Sequence, residues 1–161
     1  DGASFESVVV EELMPEVERN FCTWNARQGR AIGGISRGGF WAFEIAFRHT
    51  DLFSAIGGHS PFFDPENAGP DYNPLGLAKT VQFASGSQPR IWLDVAQDDD
   101  ARANVEIFER TLAGRNIDPG YTMNPSGGHE IPYWSSHVTE YLAFYGQTWP
   151  HDPLELPTCL Q

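Results

Sequence analysis

The chain has 161 residues, a length typical of one domain, and 40% of them are hydrophobic, which favours a folded globular protein over a disordered one. Its 22 carboxylates against 10 basic residues argue against nucleic acid or an anionic membrane surface as a partner. No apolar run approaches the roughly 20 residues that a membrane-spanning helix needs, so we also expect no membrane partner.

The first half of the chain alternates predicted helices and strands. An amphipathic helix is predicted over residues 4–20, kinked or restarted at Pro15, because apolar residues recur every four positions: Phe5, Val9, Leu13 and Val17. A buried strand over 30–36, a helix over 38–50 and a short strand over 53–58 follow. Residues 59–89 contain five prolines, which predicts a long irregular segment that acts as a lid.

The second half continues the alternation. A strand over 90–96 precedes Asp98, Asp99 and Asp100, which we expect to cap a helix over 101–115, with Val105, Phe108 and Leu112 on its buried face. A strand over 120–124 is followed by a helix from Ile131, and residues 147–161 form an extended tail. The apolar stripe predicted for that helix comprises Ile131, Trp134, Val138, Tyr141, Leu142 and Tyr145. Strands alternating with helices predict one α/β domain with a mostly parallel sheet.

One short motif carries chemistry. The five residues from Gly34 to Gly38, GISRG, match G-x-S-x-G between a predicted strand and a predicted helix. A sharp strand-to-helix turn exposes a serine hydroxyl, and the backbone N–H of Arg37 would then face any oxyanion formed there. The alternative is that the glycines only let the strand and the helix pack closely.

A serine needs a base and an acid to become a nucleophile. The aspartates at 98–100 and His129 follow the serine in the order of α/β-hydrolases, and each lies after a predicted strand. The aspartates could instead be helix caps or solvated charges, and His129 could be an ordinary loop histidine. His59, at a strand end, is a candidate for lining the pocket.

These segments together resemble the putative-esterase family of α/β-hydrolases. The resemblance rests on four segments in the family's order, and it extends over residues 5–146: EELMPEVERNF, AIGGISRGGFWAFEIAFRHTDLFSAIGGHSP, IWLDVAQDDD and GGHEIPYWSSHVTEYLAFY. It implies the C-terminal part of an α/β-hydrolase fold, a mostly parallel sheet flanked by helices. The family includes S-formylglutathione hydrolases, feruloyl and acetylxylan esterases, enterochelin-esterase-like enzymes and mycolyltransferases.

The resemblance also implies roles for individual residues. Ser36 becomes the nucleophile, His129 the general base and Asp99 the acid, with Asp98 the second choice. Arg37 occupies a position where the family often has methionine, so its side chain would narrow the pocket or favour an anionic substrate. Trp134 matches an aromatic position just after the family's histidine and is equally well explained as pocket wall or as core.

The chain departs from the family at its start. It begins at Asp1, with its first methionine at Met14, whereas the family has further strands before the first helix seen here. Those strands flank the nucleophile strand, and one loop among them gives the second oxyanion N–H. We therefore expect the 30–36 strand edge to be covered by a segment on another polypeptide, by a partner copy, or by a part of the protein not present in this chain.

The sequence predicts a serine carboxylic-ester hydrolase that works through an acyl-enzyme intermediate on a small-molecule ester. No metal or organic cofactor is implied. The alternatives are a non-catalytic hydrolase-like module that binds through its open sheet edge and, less favoured, an acyltransferase or a serine peptidase on the same scaffold. Cys22 and Cys159 are either free thiols or a bond that ties the tail to the first helix.

Overall fold

The computed structural model describes residues 4–152, and its centre is a four-stranded parallel sheet in the order β1-β2-β3-β4. The strands are β1 (Ala31–Ile35), β2 (Ala55–His59), β3 (Arg90–Ala96) and β4 (Gly120–Asn124). In the register, Ile35 pairs with His59, and His59 pairs with Asp94. Because all four strands run in the same direction, their carboxyl ends meet at one edge of the sheet. The predicted α/β class is confirmed.

Helices connect and cover these strands. Before β1 come α1 (Phe5–Ser7) and α2 (Met14–Asn20), joined by a π-helical segment over Val8–Leu13, and then a 3-10 turn over Arg27–Gly29. The helix α3 (Arg37–Arg48) joins β1 to β2, and the short α4 (Pro74–Leu77) lies between β2 and β3. The helix α5 (Arg102–Ala113) joins β3 to β4, and α6 (Ile131–Gly146) follows β4.

Aromatic rings from α3, α5 and the segment after β2 build the main core. The Phe43 and Phe108 rings meet edge to face with their centroids 4.9 Å apart, and Phe63 lies 4.4 Å from Phe108. All three side chains are fully buried. The proline-rich segment over 59–89 is therefore anchored in the core through Phe63.

The helix α6 packs close to β1 and β2 through Tyr145. A Cβ atom built at Gly33 or at Gly57 would overlap the Tyr145 hydroxyl, so glycine at these two positions lets the helix approach the sheet. The predicted apolar stripe of α6 is wrong in part, because Ile131 is 72% exposed and Leu142 is 65% exposed. The buried residues of α6 are Tyr133 and Tyr141, and their hydroxyl groups donate hydrogen bonds to the carboxylate of Asp94 on β3.

The predicted stripe of the first helix is also wrong in part, since only Val9 of its four residues packs against the core. Phe5, Leu13 and Val17 are exposed, and the side chains packed against the core are those of Val9, Val10 and Met14. The π-helical turn explains the difference, since its wider i→i+5 spacing shifts the residues that follow it around the helix axis. The α-helix restarts at Met14 with Pro15 in its first turn, as predicted.

The expected helix cap and the cysteine pair can be compared with the structure. The N-cap of α5 is Ala101, without a side-chain cap, although Asp99 Oδ1 accepts the Ala101 N–H at 2.7 Å. Cys22 is disulfide-bonded. Cys159 lies outside the described residues, as does the rest of the predicted tail from residue 153 onward. Between residues 4 and 152 no helix is long and apolar enough to cross a membrane.

Candidate active site

Ser36 lies in the tight turn between β1 and α3. Its backbone has φ 55° and ψ −121°, a left-handed conformation that is strained for any residue with a side chain. A Cβ at Gly34 would overlap the backbone of Gly38, so the turn requires glycine at 34. A Cβ at Gly38 would meet nothing within 4 Å, so the second glycine of the motif is not needed for space.

Two hydrogen bonds from the end of β2 hold the Ser36 backbone. The Ser36 N–H donates to the His59 carbonyl at 3.0 Å, and the Phe62 N–H donates to the Ser36 carbonyl at 3.0 Å. The chain between these two residues turns sharply at Ser60, which also has a positive φ of 48°. The strained serine is therefore fixed from both sides by residues 59–62.

The structure brings Ser36, His129 and Asp99 together. The Ser36 Oγ lies 2.7 Å from Nε2 of His129, and Nδ1 of the same ring lies 3.0 Å from Oδ1 and 3.2 Å from Oδ2 of Asp99. Because a carboxylate only accepts, we assign the imidazole proton to Nδ1. Nε2 is then free to accept the hydrogen bond from the serine hydroxyl.

Asp99, rather than Asp98, is the aspartate against His129. Asp99 is only 5% exposed, and the Ala101 N–H fixes one of its oxygens at 2.7 Å. Asp98 and Asp100 are exposed. The turn after β3 thus buries one carboxylate of the three and directs it at the imidazole.

The first turn of α3 leaves backbone donors beside the serine. Across residues 4–152 the N–H of Arg37 has no backbone acceptor, as expected at the first residue of a helix, while the N–H of Gly39 donates to the Ser36 carbonyl. The helix dipole adds positive potential at the same place. This end of α3 is suited to stabilising an oxyanion on a group attached to Ser36. The Arg37 side chain is exposed.

Two aromatic side chains flank the imidazole. The Trp134 ring lies edge to face with the His129 ring at 5.0 Å, and the Phe62 ring approaches it from the 59–89 segment at 6.3 Å. Trp134 was expected from the sequence, whereas Phe62 was not singled out. Phe62 could have been proposed from its position, because it follows the strand end at His59 and lies in the proline-rich segment.

His59, the other pocket candidate, lies beneath the site rather than in its wall. Its side chain is 3% exposed, and its two ring nitrogens are bonded to Asp94 and Tyr145. Asp94 was not recognised from the sequence either, although a carboxylate in the apolar strand IWLDVA is unusual. Within residues 4–152 no group of three or more His, Cys, Asp or Glu side chains is arranged to hold a metal ion.

A serine at a strained strand-to-helix turn, followed by an aspartate and a histidine after later parallel strands, is the arrangement that defines the α/β-hydrolase fold. A model of the family described as Putative esterase matches residues 3–146, and the chain belongs to this family.

Individual relatives agree with the family. The chain is 35% identical over 168 residues to Esterase Rv1288 of Mycobacterium tuberculosis, covering 96% of this chain but 35% of that protein. It therefore spans about a third of the length of this relative.

Solved structures show the same fold. A ferulic acid esterase superimposes with a TM-score of 0.78 at 20% identity, over 91% of this chain and 62% of its own. An S-formylglutathione hydrolase from Agrobacterium tumefaciens gives a TM-score of 0.76 at 20% identity, over 89% of this chain and 57% of its own. The sheet and helices described above thus correspond to part of an α/β-hydrolase.

Proposed function

We propose that the protein is a serine carboxylic-ester hydrolase, with Ser36 as the nucleophile, His129 as the general base and Asp99 as the acid that orients it. The observation that carries the proposal is the 2.7 Å separation between Ser36 Oγ and His129 Nε2, with Asp99 on the opposite side of the ring. Membership of an esterase family and the name of the relative from Mycobacterium tuberculosis support the choice of an ester as substrate.

In the acylation half of the reaction, Nε2 of His129 takes the hydroxyl proton while Ser36 Oγ attacks the ester carbonyl carbon. Asp99 stabilises the imidazolium that results, because its buried carboxylate lies against Nδ1. The Arg37 N–H donates to the oxygen that becomes negative in the tetrahedral intermediate. The intermediate then collapses as the C–O bond to the alcohol breaks, and Nε2 returns the proton to the leaving alkoxide.

The deacylation half repeats these steps with water. His129 takes a proton from a water molecule as the water oxygen attacks the acyl carbon, and the second tetrahedral intermediate forms against the same N–H. Its collapse releases the carboxylic acid, and the proton on Nε2 returns to Ser36 Oγ. An alcohol in place of the water would make the same chain an acyltransferase.

The experiment that tests this function compares the wild-type protein with Ser36→Ala and Ser135→Ala. Ser135 is an exposed serine in the first turns of α6, close along the chain to His129, and it serves as the matched control. Each protein is treated with a fluorophosphonate probe and assayed for hydrolysis of p-nitrophenyl acetate. We expect labelling and turnover in the wild type and in Ser135→Ala, and neither in Ser36→Ala.

Either of two results would contradict the proposal. Labelling that persists in Ser36→Ala would place the reactive serine elsewhere. A folded wild-type protein that neither labels nor turns over ester would favour the alternative of a non-catalytic hydrolase-like module. With an alcohol added, formation of its acetate ester in place of acetic acid would identify an acyltransferase that uses the same residues.

We further propose that a β-strand from a partner segment covers the free edge of β1 in the assembled enzyme. In the described part of the chain β1 pairs with β2 alone, and Ile35 is exposed at its end. Protection of the outward β1 amides in hydrogen exchange would support it, whereas fast exchange would argue against it. Protection that depends on protein concentration would indicate a second copy instead.

A further inference from the structure

A buried polar network lies beneath the proposed active site. Its centre is Asp94, in the middle of the sheet and 1% exposed. Its Oδ1 lies 2.5 Å from Nδ1 of His59, and its Oδ2 accepts the hydroxyl of Tyr133 at 2.8 Å and that of Tyr141 at 3.1 Å. The Tyr145 hydroxyl lies 2.8 Å from Nε2 of His59.

The donors and acceptors in this network are matched. The carboxylate of Asp94 accepts from the Nδ1–H of His59, and the Nε2 of that ring accepts from the Tyr145 hydroxyl. Burial raises the pKa of Tyr133, of Tyr141 and of Tyr145, so all three phenols keep the protons they donate. A buried carboxylate with three donors is rigidly held, since any of these groups left unpaired would be costly.

One arm of the network reaches the nucleophile. The backbone carbonyl of His59 accepts the Ser36 N–H at 3.0 Å. The His59 ring is held on one side by Asp94, and it stacks on the Tyr141 ring at a centroid distance of 3.5 Å. Asp94 therefore holds the ring of the residue whose backbone carbonyl is the acceptor for the strained serine turn.

The other arm reaches the loop that carries His129. The Tyr133 hydroxyl accepts from Nδ2 of Asn124, the last residue of β4, at 2.8 Å. The Tyr133 ring also packs against the loop that joins Asn124 to α6, since a Cβ at Gly127 in that loop would lie 2.6 Å from Tyr133 Cδ2. Tyr133 thus contacts both the start of the loop at Asn124 and its middle at Gly127, two residues before His129. The next residue, Trp134, packs on the His129 ring itself.

We propose that Asp94 is a positioning residue that sets the distance between Ser36 and His129, acting on the serine through His59 and on the histidine through Tyr133. The proposal rests on the hydrolase function proposed above. One buried carboxylate fixes the two segments that must bring a hydroxyl and an imidazole to 2.7 Å. Tyr141 bonds to the same Oδ2 and stacks its ring on His59, but among the described residues its hydroxyl has no hydrogen bond to Asn124 like that of Tyr133. Tyr141→Phe keeps the stacked ring, so we expect loss of its hydroxyl to lower stability only.

The test compares Asp94→Asn, Tyr133→Phe and Tyr141→Phe with the wild type. The two tyrosine variants form a matched pair, because each deletes one hydroxyl bonded to Asp94 Oδ2 and keeps its ring. For each protein we would measure kcat and KM with p-nitrophenyl acetate, the rate constant of fluorophosphonate labelling, and Tm. Tyr133→Phe and Asp94→Asn should lower kcat and the labelling rate about 10- to 100-fold. The reason is that moving the His129 imidazole about 1 Å from its place beside the Ser36 hydroxyl would slow the reaction by about that factor.

The same two variants should leave KM nearly unchanged, since the contacts with substrate remain. Tyr141→Phe should keep both rates within about twofold of the wild type while lowering Tm as Tyr133→Phe does. A purely structural network would lower Tm in both tyrosine variants without separating their kcat values. Should Asp94→Asn fail to fold, the tyrosine pair alone decides.

The outcomes distinguish this proposal from the one it rests on. Equal kcat values in Tyr133→Phe and Tyr141→Phe, beside a wild type that labels normally, would overturn the positioning role and leave the hydrolase function intact. A folded wild type that does not label would overturn both. Loss of labelling confined to Tyr133→Phe and Asp94→Asn would support the positioning role.

Discussion

Replacing Glu44 with glutamine should stabilise the folded protein at alkaline pH and change it much less at acidic pH. Glu44 lies in α3, the helix that begins beside Ser36, and it is 2% exposed with one carboxylate oxygen that has no hydrogen-bond partner among the described residues. Burial, aided by the nearby charge of Glu6, raises the pKa of Glu44 to about 7, although Arg48 at 3.6 Å opposes the shift. The carboxyl group is therefore more easily ionised in the unfolded chain than in the folded protein.

The magnitude follows from the difference between the two pKa values. The folded value of about 7 exceeds the unfolded value of 4.5 by about 2.5 units, and one unit corresponds to about 1.4 kcal/mol. Between these values the folded state binds more protons, so the free energy of unfolding falls as pH rises from about 4.5 to 7. Below 4.5 the penalty is absent, and well above 7 it approaches about 3–4 kcal/mol.

The assay is urea unfolding of the wild type, Glu44→Gln and Glu12→Gln at pH 5 and at pH 8. Glu12 is an exposed glutamate of the first helical segment and controls for the loss of one negative charge. The stability gained by Glu44→Gln should be about 2–3 kcal/mol larger at pH 8 than at pH 5, whereas Glu12→Gln should show no such difference. A gain that is the same at both pH values, or larger at pH 5, would refute the assignment of a raised pKa to Glu44.

Two further predictions concern the active site. Asp99→Asn should lower kcat on the order of 10³- to 10⁴-fold with little change in KM. The reason is that the asparagine amide favours the His129 tautomer that carries its proton on Nε2, which cannot accept the serine proton. A kcat within about tenfold of the wild type would contradict this role of Asp99. Phe63→Ala should cost about 3–5 kcal/mol in urea unfolding, since the ring is fully buried. Phe62→Ala should cost at most about 1 kcal/mol and alter KM, since its ring is 37% exposed beside His129; equal losses of stability would show that the two rings are not distinguished by burial.

Local sequence was sufficient for the strands and for the serine turn. The strands over Arg90–Ala96 and Gly120–Asn124 have the predicted bounds, because short apolar or β-branched runs bounded by turn residues are a local signal. The glycine at 34 is equally local, since it relieves a clash with a residue four positions away. The buried face of α5, comprising Val105, Phe108 and Leu112, also follows from spacing alone.

Helical spacing was not sufficient where the buried surface is polar. In α6 the apolar residues Ile131 and Leu142 face outward, while Tyr133 and Tyr141 face the sheet. Tyrosine is less hydrophobic than leucine, but the buried carboxylate of Asp94 on β3 needs hydrogen-bond donors, which tyrosine hydroxyls provide and methyl groups do not. That carboxylate lies 39 residues before the first of these tyrosines, so no window along the chain could link them.

The sequence by itself determined the fold class, the order of its elements and the strand-to-helix turn that carries Ser36, because each depends on residues near one another in the chain. The tertiary structure decided between Asp99, the first choice implied by the family resemblance, and Asp98, and it placed His59 under the site instead of in its wall. Those outcomes depend on which strand ends meet at one edge of the sheet, and that is fixed by packing between segments 30 or more residues apart.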